Sequence, residues 1–185
     1  MSKEYTIRRK VFTLFGAKFH IYNSSGEMIG FSKQKAFKLK EDIRIYADES
    51  MSDERLLISA RSVIDFSAAY DVIDSRTNES VGTLRRKGWS SMFRDSWEVM
   101  DAEGFPAGRI QEDSAFLALV RRFLTLIPQS FHMDDADGHE VAKFRTHFNP
   151  FVHKMTVTVH DDASVPPTLV LAAGILLVAI EGRQD

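Results

Sequence analysis

The sequence contains no cysteine, and this absence removes several classes of protein. A disulfide-bonded scaffold, a catalytic thiol and a cysteine-ligated zinc site are all excluded. The absence is typical of a protein from a reducing compartment, so the expected location is the cytoplasm. The first residues, MSKEYTIRRKVF, are charged and precede no apolar segment of the signal-peptide kind, which agrees with that expectation.

Apolar runs long enough to cross a bilayer are also missing. The run Leu169–Ile180 has twelve residues, whereas a spanning helix needs about 20. Pro166 and Pro167 suit the first turn of a helix, and Gly182 suits the left-handed position after its last turn. The run is apolar on every side, which is typical of a helix buried inside protein. We expect such a helix in a soluble domain, with a tail anchor or an interfacial helix as the alternative.

The net charge is small, but the charges are unevenly placed along the chain. Residues 1–47 hold ten Lys and Arg against four Asp and Glu, an excess of six positive charges. The whole chain has a net charge of −2, so the remainder carries −8. A basic end of this kind could meet phosphates or anionic lipid, and a solvated face of outward-pointing lysines is the alternative.

A turn motif recurs along the chain. An Asn or Asp is followed by a residue suited to positive φ and, four places after that, by a small residue. The alternating or β-branched segments on either side are typical of strands, so each motif predicts a β-hairpin. The four motifs are Asn23–Gly26–Gly30, Asp74–Asn78–Gly82, Asp101–Gly104–Gly108 and Asp135–Gly138–Ala142.

Together, the hairpins and the apolar helix predict one architecture for a single domain spanning 1–185. Several hairpins in series favour a closed antiparallel sheet of about twelve strands, whose interior is too wide for its own side chains to fill. The simplest solution places the C-terminal helix inside this barrel. EDSAFLALVRRFL, with Ser114 as N-cap and Pro128 beyond its end, predicts one additional surface helix.

Two long segments and the C-terminal helix of the chain resemble a known family. The segments YTIRRKVFTLFGAKFHIYNSSGEMIGFSKQKAFKLKEDIRIY and LRRKGWSSMFRDSWEVMDAEG, with the closing apolar helix, resemble the tubby C-terminal-like superfamily. The nearest branch is that of the LURP-one-related proteins, kin to phospholipid scramblases. The resemblance implies a twelve-stranded barrel around a hydrophobic C-terminal helix. Tubby proteins bind phosphoinositides through basic residues on the barrel, but their site matches no numbered position of this chain.

The segment KQKAFKLK could bind an anionic headgroup. It places Lys33, Lys35, Lys38 and Lys40 around Phe37, and clustered cations beside an aromatic suit phosphate at a lipid boundary. The alternative is a hairpin with solvated lysines.

The segment RRKGW offers a second cluster of the same kind. Arg85, Arg86 and Lys87 precede Trp89, which could dip into the lipid while the cations hold a headgroup. The alternative is a hairpin whose tryptophan closes one end of the barrel. Nucleic acid would use the same charges, but the net acidity of the chain disfavours it.

Other polar groupings favour structure over chemistry. His147 and His153 flank FNPFV and could face each other across a hairpin to bind zinc or copper, although no third ligand is fixed by spacing. DDADG at 134–138 resembles part of a calcium loop but lacks its first ligand, so a hairpin turn is preferred. Asp65 and Asp71 share the polar side of a strand region, where lone outward acids are common.

These patterns predict a binding module that is not an enzyme and carries no metal or cofactor. The leading hypothesis is association with an anionic phospholipid, a phosphoinositide or a protein partner at a membrane surface, without a transmembrane span. The residues expected to contact lipid are Lys33, Lys35, Lys38, Arg85, Arg86, Lys87 and Trp89. A small-molecule or metal-binding enzyme and a structural scaffold are the alternatives.

Overall fold

The computed structural model describes residues 2–10, 17–34, 42–62, 68–87, 96–113, 129–147 and 152–181. Within them the chain forms a closed barrel of twelve antiparallel strands and a C-terminal helix, which confirms the predicted fold class. The elements are β1 (Ser2–Lys10), β2 (Ala17–Tyr22), β3 (Met28–Gln34), β4 (Ile43–Tyr46), β5 (Glu54–Ser62), β6 (Ala69–Asp74), β7 (Glu79–Arg86), β8 (Ser96–Met100), β9 (Pro106–Glu112), β10 (Ser130–Asp135), β11 (Glu140–His147), β12 (Val152–His160) and α1 (Pro167–Glu181). The predicted surface helix, from Ser114 onward, lies outside the described residues.

The barrel is an up-and-down meander closed by its first and last strands. Every strand pairs with its neighbours along the chain, and β1 pairs with β12 in register from Ser2 opposite His160 to Lys10 opposite Val152. Because the ladder returns to its starting strand, the sheet has no open edge.

Side chains alternate between the interior and the outer surface, as the pleat of a strand requires. On β12 the buried residues are Met155, Val157 and Val159, and the residues between them are only partly covered. The same period places Ile7 of β1 and Phe19 of β2 in the interior, both fully buried. The residues next to them in sequence therefore point outward.

The predicted turns are formed by the side chains that the pattern singled out. Asn23 Oδ1 accepts hydrogen bonds from the backbone amides of Ser25 and Glu27, at 3.1 and 2.9 Å. The same role falls to Asp74, Asp101 and Asp135 in the later hairpins. The residue of positive φ follows in each turn: Gly26 (80°), Asn78 (60°), Gly104 (88°) and Gly138 (84°).

The small residue of each motif lies next to a bulge in its own strand. Each one pairs with the last regular residue before a shift in register. The pairs are Ile21–Gly30, Val72–Gly82, Val99–Gly108 and Met133–Ala142. At Gly108 a Cβ atom would press against the backbone carbonyl oxygen of Asp134 on the next strand. The strands therefore approach one another more closely here than a side chain allows.

A fifth hairpin, between β4 and β5, has the same construction although the sequence pattern missed it. Asp48 Oδ1 accepts the amide of Ser50 at 2.8 Å, and Met51 takes the positive φ of 57° that glycine or asparagine takes elsewhere. Because methionine is not a turn-forming residue, the motif did not match this segment.

The helix α1 lies inside the barrel. Every residue from Leu169 to Ile180 is buried except Leu171, which is partly exposed. A Cβ atom on Gly174 would lie 2.9 Å from Val157 and 3.0 Å from Ile7, so the thin middle of the helix lets the barrel wall approach. This confirms a buried helix and contradicts the alternative of a tail anchor. Among the described residues, none of the helical segments has the length and apolarity that crossing a bilayer demands.

The start of α1 agrees with the prediction. The helix begins at Pro167, and the carbonyl oxygen of Pro166 accepts hydrogen bonds from the amides of Leu169 and Val170. Proline fits here because its missing amide hydrogen has no partner in the first turn. The proposed C-terminal cap, Gly182, lies outside the described residues.

Candidate functional site

The two predicted basic segments lie on different parts of the barrel wall. Lys33 is exposed on β3, whereas Arg85 and Arg86 end β7 and Lys87 follows it. Three strands, β4, β5 and β6, separate β3 from β7. At a spacing of ~4.8 Å per strand this is about 19 Å along the sheet. Among the described residues, Lys33 therefore does not lie beside Arg85 or Lys87; Lys35, Lys38 and Trp89 lie outside the described residues.

The cations of the second segment share an acidic partner. Arg85 lies directly opposite Glu98 of β8, with Nη1 3.7 Å from its carboxylate, and Lys87 Nζ lies 2.8 Å from the same group. Arg86 is half-buried, and as the neighbour of Arg85 on an alternating strand it points to the other side of the sheet. Glu98 therefore offsets one of the positive charges expected at this segment.

A stronger concentration of positive charge lies around Lys33, on five adjacent strands. Lys33 of β3 is directly opposite Lys18 of β2, and Arg8 of β1 is directly opposite Lys154 of β12. Arg145 of β11 pairs with the residue two places after Lys154. We call these five residues the outer basic face. Within the part of the chain that the structure describes, none of them forms an ion pair with a carboxylate.

His147 lies within the outer basic face and responds to its charge. Its Nε2 is 2.8 Å from Thr156 Oγ1. Partial burial lowers the pKa of His147, and the neighbouring Lys154 and Arg145 lower it further, while Glu4 acts in the opposite direction. The imidazole is therefore less readily protonated than a free one, as expected for a partly buried group beside two cations.

The pairing of Lys18 with Lys33 works against stability. Like charges directly opposite each other on neighbouring strands destabilise a sheet by up to about 1 kcal/mol. The described residues offer no acid that offsets this pair. A sequence shaped only for stability would place an acid at one of these positions, so the arrangement points to a role for the charge itself.

Outward-pointing aromatic residues pack among the side chains of the outer basic face. Phe31 is only 1% exposed although it points outward, and it packs against His20 with ring centroids 5.2 Å apart. Arg8 lies over the ring of Tyr22, 5.0 Å from its centroid. Glu49 Oε1 accepts a hydrogen bond from His20 Nε2 at 2.9 Å, which ties the β4–β5 turn to this cluster. These contacts fix the strands that carry the cations.

The predicted facing of His147 and His153 is wrong. The ladder places Lys154 opposite His147, and both point outward. His153, the neighbour of Lys154, points to the other side of the strand. The observed pairing differs from the predicted one by a single residue: Lys154, and not His153, lies opposite His147.

The segment DDADG forms the predicted hairpin turn. Asp135 Oδ1 accepts the amides of Asp137 and His139, at 3.0 and 2.9 Å. Ligand atoms of these three residues lie within 4.8 Å of one another, but the turn itself brings them together. The hydrogen bond from the His139 amide is the main reason that the pKa of Asp135 lies below its ordinary value.

Asp71, one of the two acids considered as a carboxylate pair, binds side chains of the neighbouring strands. Asp71 receives two hydrogen bonds from Arg61, at 2.8 and 2.6 Å, and a third from Thr83 at 2.9 Å. Asp65 lies outside the described residues. Asp71 therefore joins neighbouring strands through an outer ion pair.

The closed barrel around a C-terminal hydrophobic helix defines the class of this protein as a tubby-like domain. Proteins of this class are in general not enzymes. The LURP-one-related family model matches residues 28–178, and the chain belongs to that family. A search among curated proteins found no significant match.

Proposed function

We propose that this domain is a binding module that associates with anionic phospholipid through the outer basic face. The observation that supports it is the set of five cations without acidic partners among the described residues: Arg8, Lys18, Lys33, Arg145 and Lys154. Protein surfaces usually intersperse both signs of charge, as this barrel does elsewhere. An uncompensated face instead provides long-range attraction to a negative surface.

The shape of the face favours a lipid surface over a single soluble phosphate. The cations extend from β3 through β2, β1 and β12 to β11. Four strand steps of ~4.8 Å make this about 19 Å across. A single phosphate contacts only two or three such side chains, whereas an anionic bilayer presents charge along the whole width.

The first test compares two matched variants in vesicle co-sedimentation. Lys18→Gln with Lys33→Gln removes two charges from the outer basic face, and Arg85→Gln with Lys87→Gln removes two from β7. With about 1 kcal/mol contributed by each cation near an anionic surface, the first variant should bind phosphatidylserine vesicles about 30-fold more weakly. The second should bind like the unmodified chain, because those cations lie outside the outer basic face.

Salt and neutral vesicles supply the controls. At ~1 M salt the Debye length falls to about 3 Å, so binding should be lost. The variant of Lys18 and Lys33 should unfold no more easily than the unmodified chain, since it relieves a like-charge pair. Equal binding to phosphatidylcholine and phosphatidylserine vesicles would contradict the proposal, as would equal losses in the two variants.

A further inference from the structure

A cleft of about 620 Å³ lies on the side of the barrel away from the outer basic face. It runs over the outer surfaces of β7, β8 and β9 to the turn between β10 and β11, with Arg85 and Lys87 at one end and Asp135 and Asp137 at the other. β8, at its centre, is five strands from β1, the middle strand of the outer basic face, in one direction around the barrel and seven strands in the other. A surface that contacts the outer basic face therefore leaves this cleft open.

The two ends of the cleft carry opposite charge. At the β7 end, two cations, Arg85 and Lys87, lie around one carboxylate, that of Glu98. At the turn end, Asp135 and Asp137 are both negative. Between the two ends lies Arg109, whose Nε is 3.5 Å from a carboxylate oxygen of Asp134, so it adds little net charge.

The strand ladder fixes this arrangement. Arg85 is opposite Glu98, Glu98 is opposite Arg109, and Arg109 is opposite Asp134, which forms one row across four strands. The turn that carries Asp137 is held by Asp135, whose other carboxylate oxygen accepts a hydrogen bond from Ser164 at 3.1 Å. Asp137 itself is exposed and forms no ion pair with any described residue. Its carboxylate is therefore available to a ligand.

We propose that this cleft binds a small dipolar ion, with a carboxylate or phosphate at one end and a primary ammonium group at the other. The anionic group lies at Arg85 and Lys87, where a guanidinium offers paired donors to either oxyanion. The ammonium group lies at Asp137 and Asp135. A ligand with one charge alone would be attracted by one end and repelled by the other. The volume is within the range of small-molecule sites.

The test uses amino acids whose two charges are separated by increasing lengths of chain: glycine, β-alanine, γ-aminobutyrate and ε-aminocaproate. Binding is followed by amide chemical shifts in an NMR titration of the full chain. The ends of the cleft lie three strand steps apart, about 14 Å less the reach of the side chains. Affinity should therefore rise along the series. Butyrate and propylamine, the two halves of γ-aminobutyrate, should each bind at least tenfold more weakly than the best dipolar member.

Variants distinguish the contributions of the two ends of the cleft, and they distinguish the cleft from the outer basic face. Arg85→Gln and Asp137→Asn should each weaken binding of the best amino acid about tenfold, the first without weakening propylamine binding. Lys18→Gln with Lys33→Gln should leave amino-acid binding unchanged, so failure of the lipid proposal is distinguishable from failure of this one. The proposal would be overturned if no amide chemical shift changed up to the solubility limit of the amino acids. It would also be overturned if butyrate or propylamine bound as tightly as the dipolar compounds. Free phosphoethanolamine tests whether the anionic group can be a phosphate, and vesicles of phosphatidylethanolamine test whether the ligand can be a lipid headgroup.

Discussion

The substitution Ala173→Asp is expected to abolish cooperative folding. Ala173 is 1% exposed at the middle of α1, inside the barrel and without a basic partner in the surrounding apolar core. An unpaired carboxylate in such a place costs several kcal/mol even after it takes up a proton. Because the net stability of a domain is only about 5–15 kcal/mol, we expect a loss of at least ~4 kcal/mol.

Thr168→Asp is the matched control, since it places the same side chain five residues earlier in the same helix. Thr168 is exposed in the first turn of α1, where an acid interacts favourably with the helix dipole. This variant should unfold in urea at the same midpoint as the unmodified chain, or slightly above it. If the two variants unfolded alike, the helix could not lie inside the barrel.

Gly108→Ala is expected to destabilise the domain by about 3 kcal/mol, the upper part of the range for overpacking a close contact. A Cβ atom at this position meets the backbone carbonyl of Asp134, and a strand backbone cannot move aside as a side-chain end can. Accommodating it requires β9 to separate from β10 beside the bulge. The free energy of unfolding from urea titration measures the effect.

Gly104→Ala, in the turn that leads into β9, provides the comparison. Gly104 has a φ of 88° but nothing within 4 Å of the added carbon, so only the conformational cost of about 1 kcal/mol remains. Close approach, rather than backbone freedom, would then account for the larger loss at Gly108. If Gly104→Ala proved the more damaging change, the explanation of the small-residue position would be wrong.

Features set by local chemistry were predictable from the sequence. The side chains of Asn23 and Asp101 form their turns by accepting hydrogen bonds from backbone amides a few residues away. A short sequence motif therefore contains all the residues that form the turn. The burial of α1 follows from the absence of any polar side chain between Leu169 and Ile180, which leaves this part of the helix no solvated face. The fifth turn escaped because Met51 adopts a backbone conformation that its residue type rarely takes.

The candidate site could not be predicted in the same way, because it depends on pairing between distant segments. Runs such as RRK are visible in the sequence, but the sequence does not show that Glu98 lies opposite Arg85. Conversely, Arg8 and Lys154 are far apart in the chain and meet only through the closure of β1 on β12. The error at His147 and His153 has the same origin, since a shift of one residue reverses which side chain faces which.

The two proposed sites divide the barrel into opposite sides with different chemistry. The β1–β2–β3 side carries uncompensated positive charge, and the β7–β9 side carries both signs in balance. A rigid barrel filled by its own helix can hold both at a fixed separation. The domain would then attach to a membrane on one side while it presents the cleft to solvent on the other.

The most direct test is to determine which surface of the barrel contacts the membrane. Because the chain has no cysteine, a single introduced thiol can carry the only fluorophore. Ile29→Cys places it on β3 near Lys33, and Ala102→Cys places it in the β8–β9 turn; both positions are exposed. With phosphatidylserine vesicles that contain a headgroup quencher, the label on β3 should be quenched and the label in the turn should not. Quenching of the turn label alone, or of both equally, would contradict an outer basic face that binds lipid.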